Sequence, residues 1–533
     1  MKLNLRRFWW VSLFLGFILD LLFWKKWIGL NFPLFVMLCL LTGFALLKGE
    51  NQHPNWKTYI LLPVILICAW GVFVRREPLT VLLDFVFTLF AMSLVAVTAS
   101  GGKWVEYGVL DYFRNLFRLW LNMWVLPIQA VVELHSTPEE KNPSERGRTF
   151  WQIVRGLLLA IPILAIFAGL LASADAVFNQ ELVNFLAIFK IENWSEYLFQ
   201  LILILATAYA LLGVYLFAAR FSKNEKLTAK DQTVIPQLLG ITESGIILGS
   251  VVVLFGFFVM IQFRYFFGGG ANINLSGYTY AEYARRGFGE LVLVAFGSYL
   301  LLLGLASLTR RETWTQQWVY HILNTILVAL VFVILSSAYQ RLVLYESAYG
   351  FSRLRTYTHL AIVCIAILLL GVLILETIRH QRAFALMTLS TAFLFILLLN
   401  WINVDAFIVR QNIGREVARQ INSEQVPVEL DERYFLQLSE DAVPQMVHLV
   451  QTASLDPETK DKISASLVCM RVRLETTEVI PWQSFNWARY QAERALTSVA
   501  PLLNKYTLYT NGINHTVQTP SGEIFDCSPV GID

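Results

Sequence analysis

The sequence predicts an all-α polytopic integral membrane protein with a small, mainly helical soluble domain at its C-terminus. Three observations carry this. From Phe8 to Asn403 apolar runs follow one another almost without a break, most of them near the ~20 residues a helix needs to cross ~30 Å of hydrocarbon. Charged residues are 15% of the 533 and hydrophobic ones 56%, whereas soluble domains carry about 25% charged residues. After Val404 the long apolar runs stop, and Asp and Glu outnumber Lys and Arg.

About eleven transmembrane helices are expected near 8–24, 27–47, 58–74, 79–98, 153–173, 197–219, 240–263, 288–308, 318–339, 358–376 and 384–403. These divide the chain into a four-helix N-terminal segment (1–98), an interfacial helix with a polar cytoplasmic linker (99–152), a seven-helix membrane core (153–403) and a soluble domain (404–533). No small-residue cleavage site follows the first run, so it reads as a retained helix. A short turn at Lys25–Lys26 joins it to the second.

Between the fourth and fifth runs, Leu110, Phe113, Phe117, Trp120, Leu121 and Trp124 share one helical face, and Asp111, Arg114, Asn115, Arg118 and Asn122 the other. This pattern fits either a helix lying flat among lipid headgroups or a surface helix of the bundle. Ser136 to Arg148 follows as a polar linker with two prolines.

With the N-terminus inside, short loops place about 19 Lys and Arg in the cytoplasm against about 11 outside. An odd number of spans then sets the C-terminal domain outside the cytoplasm. In that domain Asp456–Pro457 marks a helix start and Ser484 is a cap for a helix carrying Trp487, Tyr490 and Leu496. Asn511–Gly512 is expected as a two-residue hairpin turn. Cys469 and Cys527 are expected to pair as a disulfide if the domain lies outside, and to be free thiols if inside.

A net charge of +3 gives no reason to expect nucleic acid as a partner. No two cysteines have CxxC spacing, so no zinc or redox motif is indicated, and neither metal nor cofactor is expected. Motifs of metalloproteases, serine hydrolases, P-loops and dinucleotide-binding folds are missing, so no catalytic residue is proposed and an enzyme is not the favoured reading. Gly268–Gly270 reads as a helix-ending turn.

Polar residues gather at one end of four helices: Arg264 and Tyr265 after the seventh, Glu282, Arg285, Arg286 and Glu290 before the eighth, Arg341, Tyr345 and Glu346 after the ninth, and Arg353, Arg355 and His359 before the tenth. In the expected topology these face outward, against the positive-inside tendency. Two readings stand. The glutamates pair with the arginines and pin helix ends, or surplus arginine forms a pocket for an anionic small molecule or lipid headgroup. Asp20 and Asp84 sit inside apolar runs, where a charge costs at least ~2.5–3.5 kcal/mol. They are proton sites or interhelical hydrogen-bonding groups.

RGLLLAIPILAIFAGLLASADAVF (Arg155 to Phe178), QFRYFFGG (Gln262 to Gly269), YTYAEYARRGFGEL (Tyr278 to Leu291), SSAYQRLVLYESAYGFSRLRTYTHL (Ser336 to Leu360), LNWINVDAFIVRQNI (Leu399 to Ile413) and LDERYFLQLSEDAVP (Leu430 to Pro444) together resemble a bacterial family of multi-pass membrane proteins known as a domain of unknown function, of the 4153/4173 type. DLLFW (Asp20 to Trp24) and GLNFPLF (Gly29 to Phe35) match less distinctly. The resemblance implies a topology and a bacterial cytoplasmic-membrane address, and no activity. The functions left open are non-enzymatic recognition of an anionic ligand or lipid headgroup at the outer face, proton-coupled secondary transport, and a scaffold or sensor whose C-terminal domain binds a protein partner.

Overall fold

A computed structural model of the chain describes residues 3–136, 194–223, 238–266, 287–378, 383–422, 433–452, 455–475, 480–511 and 514–527, with isolated positions between 167 and 180. The first helical lobe comprises α1 (Leu5–Phe23), α2 (Asn31–Gly49), the single turn α3 (Trp56–Tyr59), α4 (Leu61–Val74), α5 (Pro78–Thr98), α6 (Val109–Ser136) and α7 (Trp194–Phe221). The second comprises α8 (Ile241–Phe266), α9 (Phe288–Leu308), α10 (Trp314–Tyr349) and α11 (Arg353–Thr377). Each lobe has its own apolar core. Helix α12 (Ala383–Ile402) packs on α11 and reaches the first lobe, where Phe393 stacks on Phe87 at 5.8 Å.

Nine helices among the described residues are long and apolar enough to cross a membrane. The two further spans expected from sequence have different explanations. The first run does fold as the 19-residue α1, but Arg6, Arg7 and Asp20 dilute its apolar character. The run at 153–173 lies outside the described residues.

Local sequence sets the helix ends. Glu77 caps α5 by accepting from the Leu79 N–H (2.9 Å) and Thr80 N–H (2.7 Å), with Pro78 following at the first helical position. Thr313 and Gln316 form a reciprocal capping box that starts α10. Helix α10 then runs for 36 residues, about 54 Å at 1.5 Å per residue, well beyond the expected 318–339. The apolar run ends there, but Gln340 to Tyr349 continue the helix until Gly350, whose φ of 77° breaks it. Close helix packing in the first lobe depends on small residues. A Cβ on Gly16 would stand 2.5 Å from the Ile204 carbonyl oxygen of α7, as expected where helices associate in lipid.

Helix α6 has an unusual aspect. Its polar stripe turns inward, with Asp111 and Asn115 buried, while Phe113, Phe117, Trp120 and Trp124 point out. Arg118 lies over Phe221 at 4.7 Å and Glu133 pairs with Arg220 at 2.6 Å, so positions fifteen residues apart both return to one end of α7. Between them Trp124 reaches Tyr209, and Pro127 lies within the helix. The buried polar side and the exposed aromatic side match the two stripes read from the sequence.

The C-terminal part contains α13 (Val404–Asn422), α14 (Val443–Thr452), α15 (Pro457–Glu475), α16 (Trp487–Ser498), α17 (Ala500–Leu503) and the strands β1 (Thr507–Asn511), β2 (Asn514–Gln518) and β3 (Ile524–Asp526). The strands form one antiparallel sheet in the order β1-β2-β3. Asn403, at φ 51°, separates α12 from α13. Asp456 caps α15 through the Thr459 N–H at 2.9 Å.

Two local expectations need correction. Asn486, not Ser484, caps α16 by accepting from the Arg489 N–H at 3.3 Å. Its side chain also donates to the Phe73 carbonyl at 2.8 Å, so one asparagine starts a helix and ties it to the end of α4. The strands pair Asn511 with Asn514, so Asn511 belongs to the ladder and not to the turn. Cys469 and Cys527 are joined by a disulfide.

Candidate functional site

The arginine-rich end of α10 and α11 contains two arrangements of different character. One is a closed ion-pair latch. Arg353, at the start of α11, forms a two-pronged bond to Asp405 of α13, at 2.8 and 2.6 Å. Asp405 is fully buried and also accepts from the Ser439 N–H and hydroxyl, each at 2.7 Å. Asp441 continues the latch, accepting from the backbone N–H groups of Arg76 (2.6 Å) and Glu77 (3.0 Å) and from the Arg75 guanidinium at 3.4 Å. Burial raises the Asp441 carboxyl above the ordinary range, and the Arg76 N–H and Arg75 oppose that shift. The Tyr357 hydroxyl donates to Glu77. All these groups hold the C-terminal helices against α4, α5 and α11. Arg353 is thus engaged by Asp405 of α13 and not by one of the glutamates.

The second arrangement is less balanced. Glu346 is buried, and one of its oxygens pairs with His359 Nε2 at 2.8 Å. Among the described residues its other oxygen has no hydrogen-bond partner. Arg355 lies over the Tyr345 ring at 4.0 Å and donates to the Gly350 carbonyl. Arg415 of α13 donates to the Glu346 carbonyl, and a Cβ on Gly350 would lie 3.2 Å from its guanidinium. Arg355 and Arg415 thus meet at the same turn. Burial, and then the like charge of Arg355, push Arg415 below the usual arginine range. Arg341 approaches the left-handed turn at Gly287. Gln262 of α8 and Ser337 of α10 are buried, and among the described residues nothing bonds the Ser337 hydroxyl or either end of the Gln262 amide.

Of the residues singled out from sequence, the structure brings Tyr345, Glu346, Arg355 and His359 together and sends Arg353 to the latch. Glu290 is exposed at the start of α9. The side chains of Arg264 and Tyr265, and all of Glu282, Arg285 and Arg286, lie outside the described residues. Sequence reasoning missed Arg415, Asn412 and Asp405. Their signal was a polar stripe on α13 following directly on the last apolar run. Asn412 fastens the Gly350 turn by accepting from the Phe351 N–H at 2.7 Å and donating to its carbonyl at 2.9 Å.

Gly350→Ala is expected to destabilise the protein by roughly 1–3 kcal/mol, since it forces a side chain into a left-handed conformation and places its Cβ 2.8 Å from Asn412 Oδ1. A lowered thermal midpoint of the detergent-solubilised chain would register it.

Asp84 sits apart, fully buried in α5. One oxygen accepts from Asn400 of α12 at 2.9 Å, and the Cys68 thiol of α4 also bonds the carboxyl. Asp20 is half-buried with one unbonded oxygen. Among the described residues no group of three or more His, Cys, Asp and Glu is placed to hold a metal ion.

Fold and site together define a multi-pass α-helical membrane protein whose C-terminal helices are latched to one end of the bundle. The chain belongs to the family described as Domain of unknown function (DUF4153), which matches residues 61–449. The match extends the resemblance read from the motifs back into the first lobe. No curated protein and no solved structure matches the chain.

Proposed function

We propose that this protein is a non-enzymatic membrane receptor for an anionic group, bound between the ends of α10, α11 and α13. The observation that carries this is the meeting of Arg355 and Arg415 at the Gly350 turn. Two like charges held together in a partly buried place are stabilised by an anion, and the planar guanidinium fork suits phosphate or carboxylate. The Cys469–Cys527 disulfide and the bias of Lys and Arg support an outer face of a bacterial cytoplasmic membrane for this end, with the N-terminus inside.

The test uses the full chain in detergent, titrated with inorganic phosphate and with phosphatidylglycerol. Binding at a hundredfold excess over Kd adds about 2.7 kcal/mol of stability, read as a raised melting temperature. Arg415→Gln is expected to abolish the rise, and Arg415→Lys to weaken it through loss of the fork. A wild-type melt that responds to neither probe beyond a chloride control would remove the proposal.

The fully buried Asp84 carboxyl, set within an apolar helix, favours a second reading, proton-coupled transport. Uptake into vesicles that vanishes with the proton gradient and with Asp84→Asn would support it.

A further inference from the structure

At the other end of α10, away from the C-terminal helices, α9, α10 and α11 enclose a cleft of about 670 Å³. That volume lies within the ~300–1,000 Å³ of small-molecule sites. One wall is a single face of α10, formed by Trp314, Gln317, Trp318 and His321, positions that neighbour one another along a helix. The two indoles meet edge-on at 5.5 Å and are both exposed, Trp314 at 67% and Trp318 at 48%. The facing wall is the segment Thr309–Arg311, fixed by a bridge between Thr309 and Leu239 and by the Arg310 N–H donating to the Leu239 carbonyl at 2.9 Å.

The two arginines of this segment differ. Arg311 turns inward to Glu376 at 2.7 Å and stacks over Tyr320 at 3.7 Å. Asn324 donates to the other oxygen of Glu376 at 2.5 Å, so both carboxylate oxygens are occupied. Arg310 is exposed, and its side chain bonds to no described residue. Glu312 is exposed at the rim. Arg310, Gln317 and the two indole N–H groups leave the cleft with a surplus of unused donors. Indoles of this kind favour headgroup depth, where one edge is wet and the other apolar.

We infer that this cleft is a second binding site, distinct from the one proposed at Arg415, which takes a phosphate group at Arg310 with the indoles bracketing the adjoining apolar part of the ligand. Arg311 is a positioning residue, held by Glu376 so that the Thr309–Arg311 segment faces the cleft. The phosphate belongs to an anionic lipid headgroup or to a soluble phosphate ester, and the experiment separates these sources.

Full-length protein, stripped of lipid in detergent, is photolysed with diazirine-bearing phosphatidylglycerol or phosphatidylcholine, and the labelled peptides are mapped. The expected result is several-fold stronger labelling of residues 309–321 by phosphatidylglycerol, lost in Arg310→Gln, retained in Arg310→Lys and unchanged in Arg415→Gln. Arg310 is exposed, so its replacement leaves the fold intact. Displacement by millimolar inorganic phosphate assigns the site to soluble phosphate esters; persistence of the label assigns it to lipid. Equal labelling by the two lipids, or labelling indifferent to Arg310→Gln, overturns the inference.

Discussion

Asp405→Ala is expected to release the C-terminal helices from the bundle. The carboxylate receives four hydrogen bonds, two from Arg353 and two from Ser439, at 2.6–2.8 Å. Its removal leaves the Arg353 guanidinium partly buried without a counter-charge and the Ser439 N–H without an acceptor. Breaking a buried ion pair from one side costs about 3–5 kcal/mol, far more than loss of a surface pair. Limited trypsin digestion should then cut in the region 404–433 well before the membrane helices unfold. Asp405→Asn keeps two acceptor positions at one oxygen and is expected to fall between the two. If the digestion pattern and melting profile of Asp405→Ala match wild type, the latch has no energetic importance.

The second large effect is expected from removing the Cys469–Cys527 bond by Cys469→Ser with Cys527→Ser. The bond closes a loop across a sequence separation of 58 residues, and the chain-entropy treatment gives roughly 4 kcal/mol for a loop of this size. It ties α15 to the segment after β3, and the core they share includes Met446, Leu467 and Phe525. The C-terminal domain of the variant should melt earlier, with the membrane lobes unaffected. Dithiothreitol on the wild type should reproduce the shift, which separates loss of the bond from the cost of burying two hydroxyls. Identical melts with and without reductant would mean that packing alone holds the domain.

Much of the architecture was legible because lipid enforces a simple rule on the chain. The expected span 288–308 coincides with α9, and most other described spans differ from their helices by a few residues at each end. Helix α10 shows where the rule stops. Apolarity reports the hydrocarbon slab, not the end of the helix, and only Gly350 marks the true end.

The candidate site was legible in part. Glu346, Arg355 and His359 announce themselves by crowding near helix ends. Their destinations were hidden, because partners such as Asp405 for Arg353, or Asp441 for Arg76, are joined by folding across long stretches of sequence. Spacing along a helix identifies neighbours three or four residues apart and carries nothing about residues brought together by tertiary contact. The same limit explains Glu376. Near the end of an apolar run it reads as a side chain reaching for the interface, yet it is buried between Arg311 and Asn324.

Helix α10 is unbroken from Trp314 to Tyr349, and a hydrogen-bonded helix resists stretching because every carbonyl along it is engaged four residues on. Axial displacement of Trp318 therefore carries Glu346 with it, as a push on one end of a rod moves the other. Occupants at its two extremities would act on one lever, so a shift favoured by one must, by thermodynamic reciprocity, alter the affinity of the other by the same factor.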